Sequence, residues 1–361
     1  MRIAIACGGS GGHLFPGLAV AQALSERGHE ILLLVSEKEI DATALRAHPE
    51  FRSEKLPSIG LPTVLSPAFI RFLQRAWESF SRCRVIFRRH RPLAVLSMGG
   101  FTSTAPLIVA KLVGIPSFIH ESNSIPGRAN RWGARFASRI LLGFSECRSY
   151  FPKTECIVTG TPVRTSMTMP LNREQVLETF RLDPSRKTLL VTGGSQGASG
   201  INQLLFRAAP LLRHLHVQVI HLTGERDDRL AAANYLRENI PAYVVPFHHH
   251  MEEALSCADL VISRAGASSL SEFSHFGLPS ILIPYPFATD NHQQSNASVF
   301  VRAGAAEMLL ESETTPEILS RLIANLLDDD RRRKNMAIQA KNVFPHDAAQ
   351  RIVAAIEEIA K

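Results

Sequence analysis

Apolar and polar positions alternate along this chain on a regular plan. Short apolar runs at 2–6, 30–35, 93–97, 117–120 and 139–142 are separated by longer amphipathic stretches. Strand-length runs that alternate with helix-length patterns predict a parallel sheet covered by helices on both faces. The alternation lapses at Thr159-Gly-Thr-Pro-Val-Arg164, where turn formers gather, and in the polar segment that follows to Lys187. It then restarts, with apolar runs at 188–192, 217–222, 242–245, 260–263 and 280–284. Both halves open alike, since Ile3-Ala-Ile-Ala-Cys-Gly-Gly-Ser10 and Leu189-Leu-Val-Thr-Gly-Gly-Ser195 each lead from a strand through glycines into a helix. Two similar doubly wound α/β domains are therefore expected, with a boundary near residue 163 and ligands at the carboxyl ends of the strands. The last stretch, 347–360, places Ile352, Ala355, Ile356 and Ile359 at helical spacing, an apolar face that one of the two domains must bury.

Composition adds bounds to this plan. A length of 361 residues suits two domains, and 45% hydrophobic with 20% charged residues excludes a disordered chain. Cys7, Cys83, Cys147, Cys156 and Cys257 include no Cys-x-x-Cys pair, which fits reduced packing residues better than a disulfide framework or a zinc site. The apolar run at the N-terminus is too short for a signal-peptide core, so no export is expected. The most apolar longer stretch, 105–120, is broken by Lys111, Gly114 and Pro116 and falls short of the ~20 residues that cross a bilayer.

The candidate chemistry begins in Gly8-Gly-Ser-Gly-Gly-His-Leu-Phe-Pro-Gly17. A glycine loop between a strand and a helix can bring several N–H groups up to a phosphate, or can be only a tight turn. Leu14 stands where a dinucleotide fingerprint needs its third glycine, which argues against a nicotinamide enzyme, and the Lys of a Walker loop is missing. His13 is the ionisable side chain of the loop, either a proton acceptor near neutral pH or a hydrogen-bonding cap. Gly193-Gly-Ser-Gln-Gly197 repeats the arrangement with the Ser195 hydroxyl. Arg164 is either a permanent charge for a diphosphate or half of a surface ion pair. In Ser263-Arg-Ala-Gly-Ala-Ser-Ser-Leu-Ser-Glu272, small residues leave room for a ring, and Glu272 either accepts from ribose hydroxyls or merely favours a first helical turn. The segment 290–296 offers carboxamides suited to sugar hydroxyls, or a solvated loop. His248-His-His250 is not expected to hold a metal, because consecutive loop residues rarely converge on one ion.

Together, the 8–17 loop, His120-Glu-Ser-Asn123, Thr159-Gly-Thr-Pro-Val-Arg164, Gly193-Gly-Ser-Gln-Gly-Ala198 and Ser268-Ser-Leu-Ser-Glu272 with Gln293 strongly resemble the MurG family. These glycosyltransferases move N-acetylglucosamine from UDP-N-acetylglucosamine to undecaprenyl-diphosphate-linked N-acetylmuramoyl pentapeptide (lipid I), giving lipid II for peptidoglycan. The resemblance implies a GT-B fold, two Rossmann-like domains facing across a cleft. Residues 1–162 with a returning helix at 343–361 would form the acceptor and membrane-binding domain, and 163–342 the donor domain. Carried over by position, Ser10, Gly11 and Gly12 would lie at the donor and acceptor-diphosphate cleft, and Asn123, Arg164 and Ser195 would bind the donor. His248 would lie where backbone meets uracil. Ala267, Ser268, Ser269, Leu270, Ser271 and Glu272 would form the nucleotide-binding stretch, with Glu272 on the ribose and Gln293 on the sugar hydroxyls. His13 is the expected general base and Glu121 the runner-up. Ser122 departs from the expected Gln, and Ser124 and Pro126 replace small residues on the acceptor side. No cofactor, metal or nucleic-acid partner is implied, the expected location is the cytoplasmic face of the cell membrane as a peripheral protein, and other wall-synthesis and division proteins are expected company. Another GT-B transferase, a UDP-sugar epimerase and a non-catalytic nucleotide-sugar scaffold are the alternatives.

Charge sharpens one further point. The chain carries 40 Lys and Arg against 33 Asp and Glu, a formal charge of +7. Arg71, Arg75, Arg82, Arg84, Arg88, Arg89 and Arg91, against Glu78 alone, account for nearly all of it. Leu65, Phe69, Ile70, Phe72, Leu73, Trp77 and Phe80 interleave with them, so the stretch 65–91 reads as an amphipathic helix for an anionic membrane surface. The alternative is that Phe69, Leu73, Trp77 and Phe80 pack inside beneath solvated arginines.

Overall fold

The computed structural model describes residues 1–57, 68–169, 171–194 and 197–360. The chain divides into two compact units, Met1–Arg164 with Pro345–Lys361, and Thr165–Phe344. Each division falls two residues later than the expected boundaries at 162/163 and 342/343.

The first unit is built on seven parallel strands: β1 (Arg2–Ala6), β2 (Glu30–Val35), β3 (Arg52–Lys55), β4 (Ala94–Ser97), β5 (Ser117–Glu121), β6 (Arg139–Leu142) and β7 (Cys156–Val158), in the order β3-β2-β1-β4-β5-β6-β7. Its helices are α1 (Gly11–Glu26), α2 (Glu39–Arg46), α3 (Ala68–His90), α4 (Thr104–Leu112) and α5 (Arg128–Gly133). The central strands are apolar along their whole length because both faces are covered: Ile3, Ala4, Ile5 and Ala6 are all fully buried. The helix Ala348–Ile359 belongs to this unit, where Ile352, Val353 and Ile356 join Leu14, Leu18 and Leu24 of α1 in one core. Arg27 and His29 clasp its Glu357 at 2.7 and 2.9 Å, and Arg139 clasps Glu358 at 2.6 Å.

The second unit repeats the plan with six parallel strands, β8 (Lys187–Thr192), β9 (Val217–Leu222), β10 (Ala242–Val245), β11 (Leu260–Ser263), β12 (Ser280–Leu282) and β13 (Ala306–Met308), ordered β10-β9-β8-β11-β12-β13. Its helices are α6 (Arg173–Thr179), α7 (Ser199–Leu212), α8 (Asp228–Arg237), α9 (Met251–Cys257), α10 (Ala267–Phe276), α11 (His292–Arg302), α12 (Pro316–Asp328) and α13 (Asp330–Val343). In both sheets the strand order reverses beside the first strand of the unit, between β1 and β4 and between β8 and β11, which creates a crevice at the carboxyl ends of those strands. This is the doubly wound α/β architecture of two Rossmann-like domains. All five cysteines are free and buried. Among the described residues no helix is long and apolar enough to cross a membrane.

The arginine-rich stretch forms α3. Its buried face is Ser79, Cys83, Ile86 and Phe87, whereas Ile70, Leu73 and Trp77 are 64%, 52% and 70% exposed. Inward packing of Leu73 and Trp77 is therefore excluded for this unit. Residues 65–67, including Leu65, lie outside the described residues.

Candidate active site

The loop after β1 is shaped by what a side chain would strike. A Cβ on Gly8 would lie 2.2 Å from the Ser36 backbone nitrogen and 2.6 Å from Asp41 Oδ2, so only glycine lets the loop approach the end of β2. Asp41, fully buried on α2, is its anchor. The carboxylate accepts from Gly9 N–H at 3.0 Å, Ser36 N–H at 2.8 Å and the Ser36 hydroxyl at 2.6 Å. Lys38 Nζ donates to the Gly9 carbonyl at 2.8 Å, and the Thr102 hydroxyl to that of Gly8 at 3.2 Å. The Gly9 amide is thus spent on the protein, and the loop's anion-binding capacity rests on the first turn of α1, at Gly11 and Gly12.

Ser10 takes the N-cap position of α1 in extended conformation, yet its side chain caps no backbone N–H. Its Oγ stands 3.0 Å from His13 Nδ1 instead. His13, half-buried, lies over the Gly99-Gly100 turn that follows β4; a Cβ on Gly99 would sit 3.1 Å from His13 Nε2 and 3.3 Å from Asn130 Nδ2. Burial drives the imidazole below its ordinary pKa; Asp41 opposes this and Lys38 adds to it. The result is a ring that is neutral at neutral pH.

On the far side of Gly99, Glu121 at the end of β5 is buried with both carboxylate oxygens filled. Oε1 accepts from Asn123 N–H at 2.9 Å and Asn123 Nδ2 at 3.1 Å, and Oε2 from Gly127 N–H at 2.9 Å and Asn130 Nδ2 at 2.8 Å. Burial pushes its carboxyl up, and these hydrogen bonds pull against it. Ser122 has a local reason to be serine: its hydroxyl stands 3.3 Å from His120 Nδ1, while His120 Nε2 donates to the Gly160 carbonyl at 2.9 Å. Arg164 pairs with no carboxylate among the described residues. Its guanidinium instead lies 4.8 Å from the centre of the Phe15 ring, two residues beyond His13 on α1.

In the second unit Gly193 and Gly197 are likewise fixed by close approach: Cβ atoms there would fall 2.3 Å from Ala198 N and from the Thr223 carbonyl. Ser195 and Gln196 lie outside the described residues. Buried Asn202 on α7 ties down the segment between β9 and α8 that abuts Gly197, donating to the Thr223 carbonyl at 2.8 Å and to Asp227 at 2.7 Å, with its Oδ1 3.0 Å from His221 Nε2.

Ala267 opens α10, Ser268 and Ser269 complete its first turn, Leu270 is buried, and the Ser271 hydroxyl donates back to the Ala267 carbonyl at 3.0 Å. Glu272 is the sixth residue of this helix, and the first turn holds no acid, so the first-turn reading of Glu272 does not hold. Gln293 is brought to the same place. Its Oε1 accepts from Ala265 N–H at 3.3 Å and Tyr285 N–H at 2.9 Å, so the oxygen is engaged by the protein. Arg264 shapes the wall: its buried guanidinium donates to the carbonyls of Ile283 and Pro284 and pairs with Glu311 at 2.6 Å. His248 stands apart as a packing residue, edge-on to Phe180 and Tyr243 and 2.9 Å from Glu253 Oε2. Among the described residues no cluster of three or more His, Cys, Asp or Glu is arranged to hold a metal ion.

Asp41, Thr102, Gly99, Gly100, Asn130 and Arg264 escaped the sequence reading. Met98-Gly-Gly100 did carry a signal, a further glycine pair directly after an apolar run, whereas Asp41 and Asn130 act only through contacts that folding creates.

The residues 3–142 match the glycosyltransferase family 28 N-terminal domain and 188–352 the family 28 C-terminal domain. The UDP-N-acetylglucosamine--N-acetylmuramyl-(pentapeptide) pyrophosphoryl-undecaprenol N-acetylglucosamine transferase of Geobacter sulfurreducens is 38% identical, over 98% of this chain and 97% of that protein. The protein of the same name from Bacillus licheniformis is 33% identical over 99% of both. Among solved structures, MurG of Acinetobacter baumannii superposes with a TM-score of 0.79 at 27% identity, covering 99% of each chain. Two Rossmann-like units, each with a glycine turn at the reversal of its strand order, and likeness along the whole length place this chain in the MurG family of glycosyltransferases.

Proposed function

We infer that this enzyme transfers N-acetylglucosamine from UDP-N-acetylglucosamine to the 4-hydroxyl of lipid I, with inversion at the anomeric carbon, to give lipid II. The observation that carries the reading is full-length similarity to transferases of that name, joined to two glycine turns placed at the ligand crevices of two Rossmann-like sheets.

The reaction makes two demands. The acceptor hydroxyl must lose a proton as it attacks, and the leaving diphosphate must be stabilised as its charge grows. For the first, His13 is the base. In this role Nδ1 carries the proton and directs it at Ser10 Oγ, 3.0 Å away, so that Nε2 keeps a lone pair, and burial, by lowering the pKa, favours the unprotonated ring. Glu121, with four donors on its two oxygens, braces the loop that carries Asn123 against Asn130 of α5 and is a positioning residue. For the second, the amides of Gly11 and Gly12, the Ser195 hydroxyl and the Arg164 cation supply the positive field, and the ring of Phe15 fixes that cation in place. Glu272 takes the ribose hydroxyls and the Gln293 NH2 a hydroxyl of the transferred sugar, with 267–271 leaving room for the nucleotide. Docking of the anionic cytoplasmic leaflet falls to α3, whose exposed Ile70, Leu73 and Trp77 enter the interface while its arginines meet headgroups, each contributing about 1 kcal/mol, and less at Arg75 and Arg89, which also face Glu37, Glu78 and Glu54.

The test is release of UDP with and without lipid I. Release that depends on lipid I supports the transferase; consumption of the donor without acceptor points to a hydrolase or epimerase. Replacing His13 by Ala is expected to lower kcat at least about 100-fold, and near wild-type turnover would remove it from the base role.

A further inference from the structure

Between α3 and the turn on which His13 rests the first unit holds a largely apolar slot. A slot of about 80 Å³ opens between α3 and α4, lined by Phe72, Ala76 and Phe80 on one side and Phe101, Ala105 and Ile108 on the other. Its aromatic walls are backed by two sets of ring contacts: Phe69 meets Phe72 at 5.9 Å and Phe72 meets Phe101 edge-on at 6.3 Å, and separately Trp77 meets Phe80 at 5.8 Å. Phe101 directly follows the Gly99-Gly100 turn on which His13 rests. At the rim Arg75 reaches Glu37 at 3.4 Å, tying α3 to the segment that holds Asp41 and the glycine loop.

We propose that this slot binds the first isoprene units of the polyprenyl diphosphate carrier and thereby sets the depth at which the acceptor sugar meets His13. The proposal rests on the transferase reading above, since an acceptor with its diphosphate at α1 and its tail in the membrane must cross this part of the unit. The slot is lined on α3 by Phe72 and Ala76, each next in sequence to exposed Leu73 or Trp77, and on its other side by Phe101, the residue after the Gly99-Gly100 turn, so its two sides lie toward the two ends of such a linker. A branched hydrocarbon fits walls that are mostly apolar, with Arg75, Ser79 and Thr104 as the polar members of the lining, better than a sugar that would need more partners than these three supply.

The test compares farnesyl diphosphate with inorganic diphosphate as ligands in detergent-free solution, on the full chain and on Ala76→Phe. Ala76 is exposed on α3, so the larger ring fills the mouth without disturbing the core. Farnesyl diphosphate is expected to bind at least about tenfold more tightly than inorganic diphosphate, the ratio from burying roughly two methylene-sized groups. Ala76→Phe should abolish that advantage while binding inorganic diphosphate as the parent does. An advantage that is absent, or that survives Ala76→Phe, overturns the slot. Turnover separates this from the transferase reading: lipid I whose proximal isoprenes are replaced by a polar linker should lose at least about tenfold in kcat/KM. If that acceptor works as well as lipid I, the slot fails and the transferase stands. If neither releases UDP, the transferase reading fails.

Discussion

Asp41 is the residue whose loss should reveal how the catalytic loop is held. In Asp41→Ala the Gly9 and Ser36 N–H groups and the Ser36 hydroxyl lose their acceptor together. An orphaned buried donor costs about 1–3 kcal/mol, and relief of the buried carboxylate offsets part of the sum, so a net loss of roughly 3–4 kcal/mol is expected. Asp41→Asn keeps one oxygen for these three donors and loses only the charge, for about 1–2 kcal/mol. The assay is urea unfolding followed by tryptophan fluorescence, because both tryptophans, Trp77 and Trp132, belong to the first unit. With a slope of about 2 kcal/mol per molar urea, Asp41→Ala should lower the midpoint by roughly 1.5–2 M. A second readout comes from the charge. Asp41 holds the His13 pKa up against burial, so in Asp41→Asn the acid limb of kcat/KM should move to lower pH. A midpoint shift below about 0.3 M for Asp41→Ala, with kcat/KM unchanged, would refute the anchoring role.

Gly99→Ala must adopt φ +102° and press on His13 Nε2; a drop in kcat of about 10–100-fold with an unchanged donor KM is expected from steady-state kinetics, and parental kcat would show that the turn does not place the imidazole. Acid should weaken both units through buried histidines. Burial pushes His120 down to about 4 and His221 down to about 3, so below pH ~6.5 the unfolded chain takes up protons that the folded chain refuses. Stability is then complete above that pH and drains as pH falls toward 4, by about 1.4 kcal/mol per pH unit for each group; urea midpoints at pH 7 and 5 measure it, and an undiminished loss in His221→Gln would sink the assignment for the second unit. Replacing Arg71, Arg75 and Arg82 by Gln should reduce binding to anionic vesicles by about two orders of magnitude, whereas unchanged binding would remove α3 from the membrane interface.

The central strands were legible in the sequence because burial on both faces writes itself as uninterrupted apolar runs. Polar or three-residue edge strands leave no such trace, whereas the apolar edge strand β10 was legible as the run 242–245. β3 is Arg-Ser-Glu-Lys, with mostly exposed side chains, and β7 and β13 are three residues each, so none of the three was anticipated. The glycine loops were visible as spacing, but the fate of each amide was not: Gly9 looks as available as Gly11 until Asp41 arrives from a helix 30 residues downstream. Arg164 shows the same limit, since its partner is an aromatic ring on α1 and no charge pattern points to it. Gln293 was legible as a polar reader, yet which end of its carboxamide the protein engages depends on two backbone amides that folding alone brings to it.

The helix Ala348–Ile359 makes the first unit a discontinuous one, with the whole second unit inserted between its parts. During synthesis, β1 to β7 leave the ribosome well before the segment that supplies Ile352, Val353 and Ile356 to their core. The second unit, contiguous in sequence, has all its own residues available earlier and is free to complete its fold first. The unit that emerges first is thus finished last, and until then the apolar flank of α1 beneath His13 stays uncovered. A chain cut short before residue 348 would keep every described strand of both sheets and still lack the cover for the helix that carries His13.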